Sequence, residues 1–180
     1  KVAYVHVRNA KCSVALNTGG LICYSKANSE IKNCAVSDSH IITYASKVSG
    51  KVSVGGLIGR MSTSDLENSY VQDVDIDNTK ALDTEGAGGI AGITNGDQVI
   101  IKNCYAAWAL KSVYRNIGGL VGSQTAGDFR MTGSFSKVDM DIYGSYVGGL
   151  LGYLNQFEEI KGNIFLGNIF VHSSTPTMVH

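Results

Sequence analysis

The sequence contains one loose match to the glycine-rich fingerprint that binds dinucleotides. It reads Gly-Ala-Gly-Gly-Ile-Ala over Gly86–Ala91. In such sites the glycines let the backbone approach a pyrophosphate, which requires a strand before them and a helix after them. Here the polar residues Asp83–Glu85 precede the glycines and Thr94–Asp97 follow them. The sequence therefore predicts no nucleotide site and no cofactor.

A second candidate site is the acidic segment that contains Asp73, Asp75 and Asp77, which resembles the start of a calcium-binding loop. An EF-hand loop also requires a glycine at its sixth position and a glutamate at its twelfth. This chain has Asn78 and Thr84 there. Because the aspartates alternate with apolar residues, the pattern predicts a strand whose carboxylates face water. Adventitious calcium binding by these carboxylates remains an alternative.

The cysteines show no metal-binding spacing. They are Cys12, Cys23, Cys34 and Cys104, and none belongs to a Cys-x-x-Cys pair. Cys34 and Cys104 hold equivalent places in the repeat described below, two strand steps or roughly 10 Å apart, which is beyond disulfide reach. Small buried thiols are the prediction. A Cys12–Cys23 or a Cys23–Cys34 disulfide is left open.

The histidines give no sign of catalysis. They are His6, His40, His172 and His180, and none begins the His-Glu-x-x-His motif of zinc proteases. Asp38, Ser39 and His40 are the three residue types of a hydrolase triad, but successive strand residues point in alternating directions. The prediction is that this chain has no catalytic residue and no tightly bound metal.

All these patterns lie within a repeated sequence, so the strands and turns of the fold should recur with the same period. Five glycine motifs start at Gly19, Gly55, Gly88, Gly118 and Gly148, separated by 36, 33, 30 and 30 residues. Such a period is typical of solenoids. Structural roles are predicted for the glycine pairs, namely Gly19, Gly20, Gly55, Gly56, Gly88, Gly89, Gly118, Gly119, Gly148 and Gly149.

A second phrase recurs between the glycine motifs. It reads Ile-Lys-Asn-Cys-Ala at Ile31–Ala35 and Ile-Lys-Asn-Cys-Tyr at Ile101–Tyr105. The chain opens inside a further copy if Tyr4 is aligned with Tyr70. The segments around these phrases are short, rich in Val, Ile and Tyr, and bounded by Gly, Ser, Asn and Asp, which predicts strands and turns. The single proline, Pro176, lies outside the repeats.

The predicted fold is an all-β, parallel β-helix-like solenoid of about five stacked coils, with 30–36 residues per repeat. It covers residues 1–171, with a partial first coil at 1–10, and residues 172–180 form a tail or linker. The residues after the glycine pairs should stack as an internal aliphatic column of Leu21, Leu57, Ile90, Leu120 and Leu150. A partial aromatic column, interrupted by Ala35, is expected from Tyr4, Tyr70, Tyr105 and Phe135. The placement of Trp108, Tyr143 and Tyr146 is left open between core and exposed platform.

The alternation of the glycine motif with the Ile-Lys-Asn-Cys phrase resembles the GLUG repeat over about Ala3 to Val171. Such repeats occur in large secreted or surface-attached proteins, including the non-catalytic region of streptococcal immunoglobulin-A-protease-like zinc metalloproteases. The resemblance implies an extracellular or cell-surface location. The chain departs from the pattern where Cys23 replaces the last glycine of the first motif, and where Gly133 and Gly162 replace the asparagine of the second phrase.

Charge and composition exclude some partners. The 15 basic and 15 acidic residues give a formal net charge of zero, which argues against nucleic acid and against anionic membranes. No apolar run is long enough for a membrane span. The predicted function is a non-catalytic extracellular module that acts as an adhesive or partner-binding platform or as a rigid spacer. The alternatives are an accessory substrate-positioning domain of a large secreted zinc metalloprotease, and a structural filament subunit, and neighbouring domains are expected at both ends.

The unequal repeat lengths place the variable turns at 45–54 and 80–87, and these turns are the predicted contact region for a protein or glycan partner. Both approach a glycine motif, so they should project from the same side as a ridge of mixed charge. The possible partner-binding residues are Lys47, Lys51, Arg60, Lys80, Asp83 and Glu85.

Overall fold

The computed structural model of the chain describes residues 1–14, 16–44, 52–80, 84–112 and 115–172. Regular structure in these ranges consists of strands alone, and none of these residues forms a helix of the length and apolarity that a membrane span needs. The first ten strands are β1 (Val2–Ala3), β2 (His6–Arg8), β3 (Lys11–Val14), β4 (Asn17–Gly19), β5 (Ile22–Ser25), β6 (Ser29–Lys32), β7 (Ala35–Tyr44), β8 (Val52–Gly55), β9 (Ile58–Glu67) and β10 (Tyr70–Lys80). The others are β11 (Thr84–Gly88), β12 (Ala91–Lys102), β13 (Tyr105–Ser112), β14 (Ile117–Gly118), β15 (Val121–Gln124), β16 (Asp128–Thr132), β17 (Phe135–Ile142), β18 (Val147–Gly148), β19 (Leu151–Leu154), β20 (Glu159–Lys161), β21 (Ile164–Leu166) and β22 (Ile169–Val171).

The strands form three parallel sheets. The nine-stranded sheet contains β1, β5, β6, β9, β12, β15, β16, β19 and β20. The eight-stranded sheet contains β2, β3, β7, β10, β13, β17, β21 and β22, and the five-stranded sheet contains β4, β8, β11, β14 and β18. In each repeat the chain passes from the five-stranded to the nine-stranded and then to the eight-stranded sheet. This all-β, parallel arrangement is compatible with the predicted β-helix.

The glycine motifs set the register between neighbouring repeats. In the five-stranded sheet Gly19 pairs with Gly55, Gly55 with Gly88, Gly88 with Gly118, and Gly118 with Gly148. Aligning the motifs in the sequence therefore predicts the strand register correctly.

The aliphatic column after the glycine pairs is confirmed. The N–H of Leu57 donates to the carbonyl of Ile90 at 3.2 Å, the N–H of Ile90 to Leu120 at 2.9 Å, and that of Leu120 to Leu150 at 2.9 Å. Leu57, Ile90 and Leu120 are fully buried in the core, while Leu21 and Leu150 are half-buried against it.

The two glycines of a motif are required for different reasons. A Cβ on Gly88, a first glycine, would lie 2.6 Å from the backbone nitrogen of Gly122 and 2.7 Å from the Leu120 carbonyl oxygen. The second glycine, Gly89, leaves room for the indole of Trp108, whose Nε1 donates to the Gly119 carbonyl at 2.9 Å. Trp108 is therefore a core residue and not an exposed platform.

The asparagine of the second phrase adopts a left-handed backbone conformation. Its φ is 54° at Asn33, 49° at Asn68 and 52° at Asn103, and the replacing glycines have φ of 60° at Gly133 and 64° at Gly162. Asn and Gly are the residues that tolerate this region best. The two departures from the repeat pattern therefore preserve its backbone geometry.

The predicted alignment of Tyr4 with Tyr70 is wrong by two residues. Tyr4 has a φ of 59°, and its N–H donates to the Lys32 carbonyl at 3.2 Å, as the N–H of Asn33 does to Glu67 in the next repeat. His6 instead pairs with Ala35, which pairs with Tyr70. Tyr4 is 83 % exposed, so it does not belong to the aromatic column.

The predicted variable turns are shorter than expected. Val52, Ser53 and Val54 are buried strand residues of β8, and Gly86–Ala87 are buried in β11, so these parts do not form an exposed ridge. Lys47, Lys51 and Asp83 lie outside the described residues. Lys80 pairs with Tyr44, and Thr84 with Val52. Both connections therefore leave and re-enter the sheets at neighbouring positions.

Candidate functional site

The dinucleotide-type glycines have no helix after them. Gly86–Ala91 covers most of β11 and the first residue of β12, a strand of twelve residues. The positive helix end that would hold a pyrophosphate is therefore missing from this segment.

The acidic segment lies on β10, as predicted. Asp75 is exposed on the outer face of the eight-stranded sheet, and Asp73 has a φ of 52° at an irregularity in the strand pairing. The amide of Gln72 donates to Asp73 at 3.2 Å. Across the described ranges, no three His, Cys, Asp or Glu side chains are arranged to hold a metal ion.

The Asp-Ser-His segment does not form a triad. The hydroxyl of Ser39 donates to the Ser37 carbonyl at 2.6 Å, and its side chain is buried, whereas His40 is half-buried on the other face. Asp38 accepts hydrogen bonds from Ser37 and from Arg8 at 2.8 Å, and these bonds hold its pKa below the usual range. Asp38 and Ser39 therefore each have a structural partner other than His40.

The four cysteines are free thiols with different exposure. Cys34 and Cys104 are buried as predicted, Cys12 is half-buried and Cys23 is exposed. The thiols of Cys34 and Cys104 each donate to a carbonyl two residues earlier at 3.3 Å. Burial raises the pKa of Cys104 to about 12.

The buried thiol of Cys104 should destabilise the protein in alkaline solution. Its pKa rises from 9.0 in an unstructured chain to about 12 in the folded protein. The unfolded chain therefore loses this proton first, and the free energy of unfolding falls as pH rises between these values, by on the order of a few kcal/mol. Urea unfolding of the wild type and of Cys104→Ala, at about pH 8 and about pH 11, measures the effect. A variant that loses as much stability as the wild type would contradict it.

A wide concavity lies on the outer face of the eight-stranded sheet, and we call it the outer groove. Its volume is about 730 Å³. Its lining residues come from four neighbouring repeats, namely Gln72, Asp73, Val74, Asp75, Tyr105, Ala107, Trp108, Ala109, Lys137, Val138, Asp139, Leu166, Gly167 and Asn168. Asp75 pairs with Ala109, which pairs with Asp139. The small side chain of Ala109 thus separates two exposed carboxylates.

An aromatic row borders the outer groove. Tyr70 pairs with Tyr105 and Tyr105 with Phe135. The rings of Tyr105 and Phe135 stack with centroids 5.3 Å apart and an interplanar angle of 14°. Asp139 is fixed by two hydrogen bonds from Asn168, at 3.0 and 3.1 Å. The surface therefore combines a flat apolar edge with polar groups.

A second concavity lies where the five-stranded sheet meets the nine-stranded sheet, and we call it the corner pocket. Its volume is about 300 Å³. The lining residues are Glu85, Arg115, Asn116, Ser123, Thr125, Tyr146 and Tyr153. The rings of Tyr146 and Tyr153 meet edge to face, with centroids 6.2 Å apart.

Two of the predicted partner-binding residues meet at this corner. Nη1 of Arg60 lies 3.5 Å from Oε2 of Glu85, and the Arg60 guanidinium lies 6.0 Å from the centre of the Tyr24 ring. Arg60 holds the same register position in the nine-stranded sheet as Ser123 and Tyr153, because Arg60 pairs with Ile93, Ile93 with Ser123 and Ser123 with Tyr153. The ion pair is half-exposed and therefore contributes little to stability.

Sequence reasoning missed Tyr153 and Asp139 as surface candidates, and it missed Ser123 as a buried polar group beside the corner pocket. The signal was available in the period-two alternation within each strand, read at equivalent positions of successive repeats. No signal in the sequence indicates that the five-stranded and the nine-stranded sheets meet at the corner pocket.

Comparisons with known proteins leave the family open. No protein-family model matches the chain, and neither curated proteins nor solved structures show a significant match.

Proposed function

We propose that the three sheets close into a parallel β-solenoid, in which successive coils contribute strands to the five-stranded, the nine-stranded and the eight-stranded face. The identical order in which each repeat visits the sheets supports this closure. A shared core of residues from all three sheets supports it as well, since Val54, Ile58 and Val71 belong to one buried cluster. Such an array presents long continuous outer faces.

We further propose that this solenoid is a non-catalytic, extracellular partner-binding platform. The observation that carries the proposal is the outer groove, which repeats build together and which a stacked aromatic row borders. Ligand sites are typically concave, with apolar surface and a few fixed polar groups. The partner is a protein or a glycan. The resemblance to GLUG repeats is the support for the extracellular location.

Blocking the outer groove should abolish partner binding without unfolding the protein. Ala109 is exposed in the groove, so Ala109→Arg adds a long side chain there and removes no packing. The measurement is binding of the purified chain to immobilised glycans and to purified extracellular matrix proteins. We expect at least a tenfold loss for the partner that the wild type binds, which corresponds to about 1.4 kcal/mol.

The matched control is Ala126→Arg, which makes the same change at an exposed turn between β15 and β16. It should bind as the wild type does, and both variants should keep the wild-type melting temperature. If Ala109→Arg binds normally, the outer groove is not the binding surface. If the wild type binds none of the probes, the spacer role becomes the better account.

A further inference from the structure

We propose that the corner pocket binds one pyranose residue of a glycan, at a site separate from the outer groove. The proposal joins three observations at one place: two exposed tyrosine rings, a buried hydroxyl without a partner, and a set of polar donors and acceptors. Its volume of about 300 Å³ is at the small end of ligand pockets, which suits a single sugar ring.

The tyrosine rings provide the apolar part of the site. Tyr146 is 60 % exposed and Tyr153 is 39 % exposed, so both keep ring surface that the protein does not cover. Their interplanar angle of 83° makes them two walls rather than one flat stack. A pyranose has an apolar C–H face that can lie on one ring while its edge meets the other. Tyrosine suits such wet sites because its ring is apolar and its hydroxyl is polar.

Ser123 provides a polar group that the fold does not satisfy. Its side chain is 1 % exposed and lines the corner pocket, and its hydroxyl has no hydrogen-bond partner within the described chain. A buried polar group without a partner is costly, so such groups in native proteins require an explanation. A sugar hydroxyl is both a donor and an acceptor, and it could pair with this group in either direction.

The polar groups around the pocket suit a ligand with many hydroxyls. The Glu85 carboxylate already pairs with Arg60, 3.5 Å away. Arg115 is exposed at the pocket, and no ion pair holds it in the part of the chain that the structure describes. The Arg115 guanidinium, the Asn116 side-chain amide and the Thr125 hydroxyl line the pocket and offer both donors and acceptors. Sugar hydroxyls match that mixture.

The test is saturation-transfer NMR of the whole chain with methyl glycosides of glucose, galactose, mannose and N-acetylglucosamine. We expect at least one of these glycosides to bind with a Kd on the order of 1 mM, because a ligand of about thirteen heavy atoms gains limited binding energy. Tyr146→Asn should weaken binding at least tenfold. Asparagine suits this position because Tyr146 has a φ of 56°, a conformation that asparagine tolerates better than most residues.

Two further variants separate binding from folding. Ser123→Ala removes the hydroxyl without a partner, so it should weaken binding about threefold or more while the melting temperature stays equal or rises. Tyr143→Asn is the matched control, since Tyr143 is also exposed but stacks on His172 outside the pocket. It should bind as the wild type does.

The proposal is overturned if no glycoside binds, or if Tyr146→Asn and Ser123→Ala bind as tightly as the wild type. Ala109→Arg distinguishes the two sites. Binding that Ala109→Arg abolishes and Tyr146→Asn leaves intact belongs to the outer groove and contradicts a sugar site at the corner pocket. Binding with the reverse pattern supports the corner pocket, whatever the fate of the outer groove.

Discussion

Replacing Leu120 by alanine should lower the free energy of unfolding by about 2–5 kcal/mol. Leu120 is fully buried, and its backbone is hydrogen-bonded to Ile90 on one side and to Leu150 on the other. Neighbouring strands cannot collapse into the space, because their register is fixed on both sides by paired glycines. The loss therefore combines the transfer of the side chain with an unfilled cavity. Urea unfolding followed by circular dichroism measures it.

The matched control is Leu166→Ala, the same truncation on an exposed residue. Leu166 is 56 % exposed on the outer face of the eight-stranded sheet. Its replacement should change the free energy of unfolding by no more than about 0.5 kcal/mol, as surface substitutions usually do. Equal losses in the two variants would show that Leu120 does not carry the core packing described above.

The register of the sheets could be predicted because glycine is required by backbone contact. The first glycine of each of the first four motifs, such as Gly118, faces backbone atoms of the next repeat, which leave no room for a side chain. This requirement keeps the motif recognisable when the residues around it vary. The column of Leu57, Ile90 and Leu120 follows, because a residue at a fixed distance from a register mark has a fixed neighbour.

The first repeat could not be aligned from residue identity alone. Tyr4 and Tyr70 are the same residue type, but the structural equivalent of Tyr4 is Asn33. Tyr4 and Asn33 share a left-handed backbone conformation. A tyrosine at φ 59° carries no sequence signal for that conformation, whereas an asparagine or a glycine does. The same physical reasoning explains Gly133 and Gly162, which differ from asparagine in identity and not in backbone geometry.

Cys23 is the departure from the glycine motif in the first repeat. It occupies the place of Gly59 in the next repeat, where a Cβ would lie 2.5 Å from the backbone nitrogen of Thr18. The side chain of Cys23 is exposed. The sequence shows the change of residue but not this exposure.

The candidate sites were only partly accessible to sequence reasoning. The outward aspartates of β10 follow from alternation, since Asp75 is flanked by buried residues. The corner pocket lies where the five-stranded sheet meets the nine-stranded sheet, and the distance between these sheets cannot be read from the sequence. That distance determines the contact between Tyr146 and Tyr153. The burial of Trp108 could not be predicted, because a large aromatic side chain fits a core only if the residue facing it is small. The residue facing Trp108 is Gly89, which belongs to the glycine motif that precedes Trp108 in the chain.

Replacing Gly88 by alanine should destabilise the protein by about 3 kcal/mol or more, although only one methyl group is added. The new Cβ would lie 2.6 Å from the Gly122 nitrogen and 2.7 Å from the Leu120 carbonyl oxygen, and it would overlap the Ala91 carbonyl oxygen as well. These are backbone atoms of paired strands, so they cannot move without breaking ladder hydrogen bonds on both sides of the motif. Urea unfolding of the purified variant measures the loss, and failure to fold counts as the same result at its upper limit.

The control tests whether glycine is needed for space or for conformation. Gly162 has a φ of 64°, and a Cβ there would have no neighbour closer than 3.9 Å. Gly162→Asn restores the residue that Asn33, Asn68 and Asn103 have at the same place, so it should cost less than about 1 kcal/mol. Gly162→Ala has the same space but lacks asparagine's tolerance of positive φ, and it should cost more than Gly162→Asn. If Gly88→Ala is no worse than Gly162→Asn, backbone contact does not explain the glycine motif. The register would then have to come from the side chains that flank it.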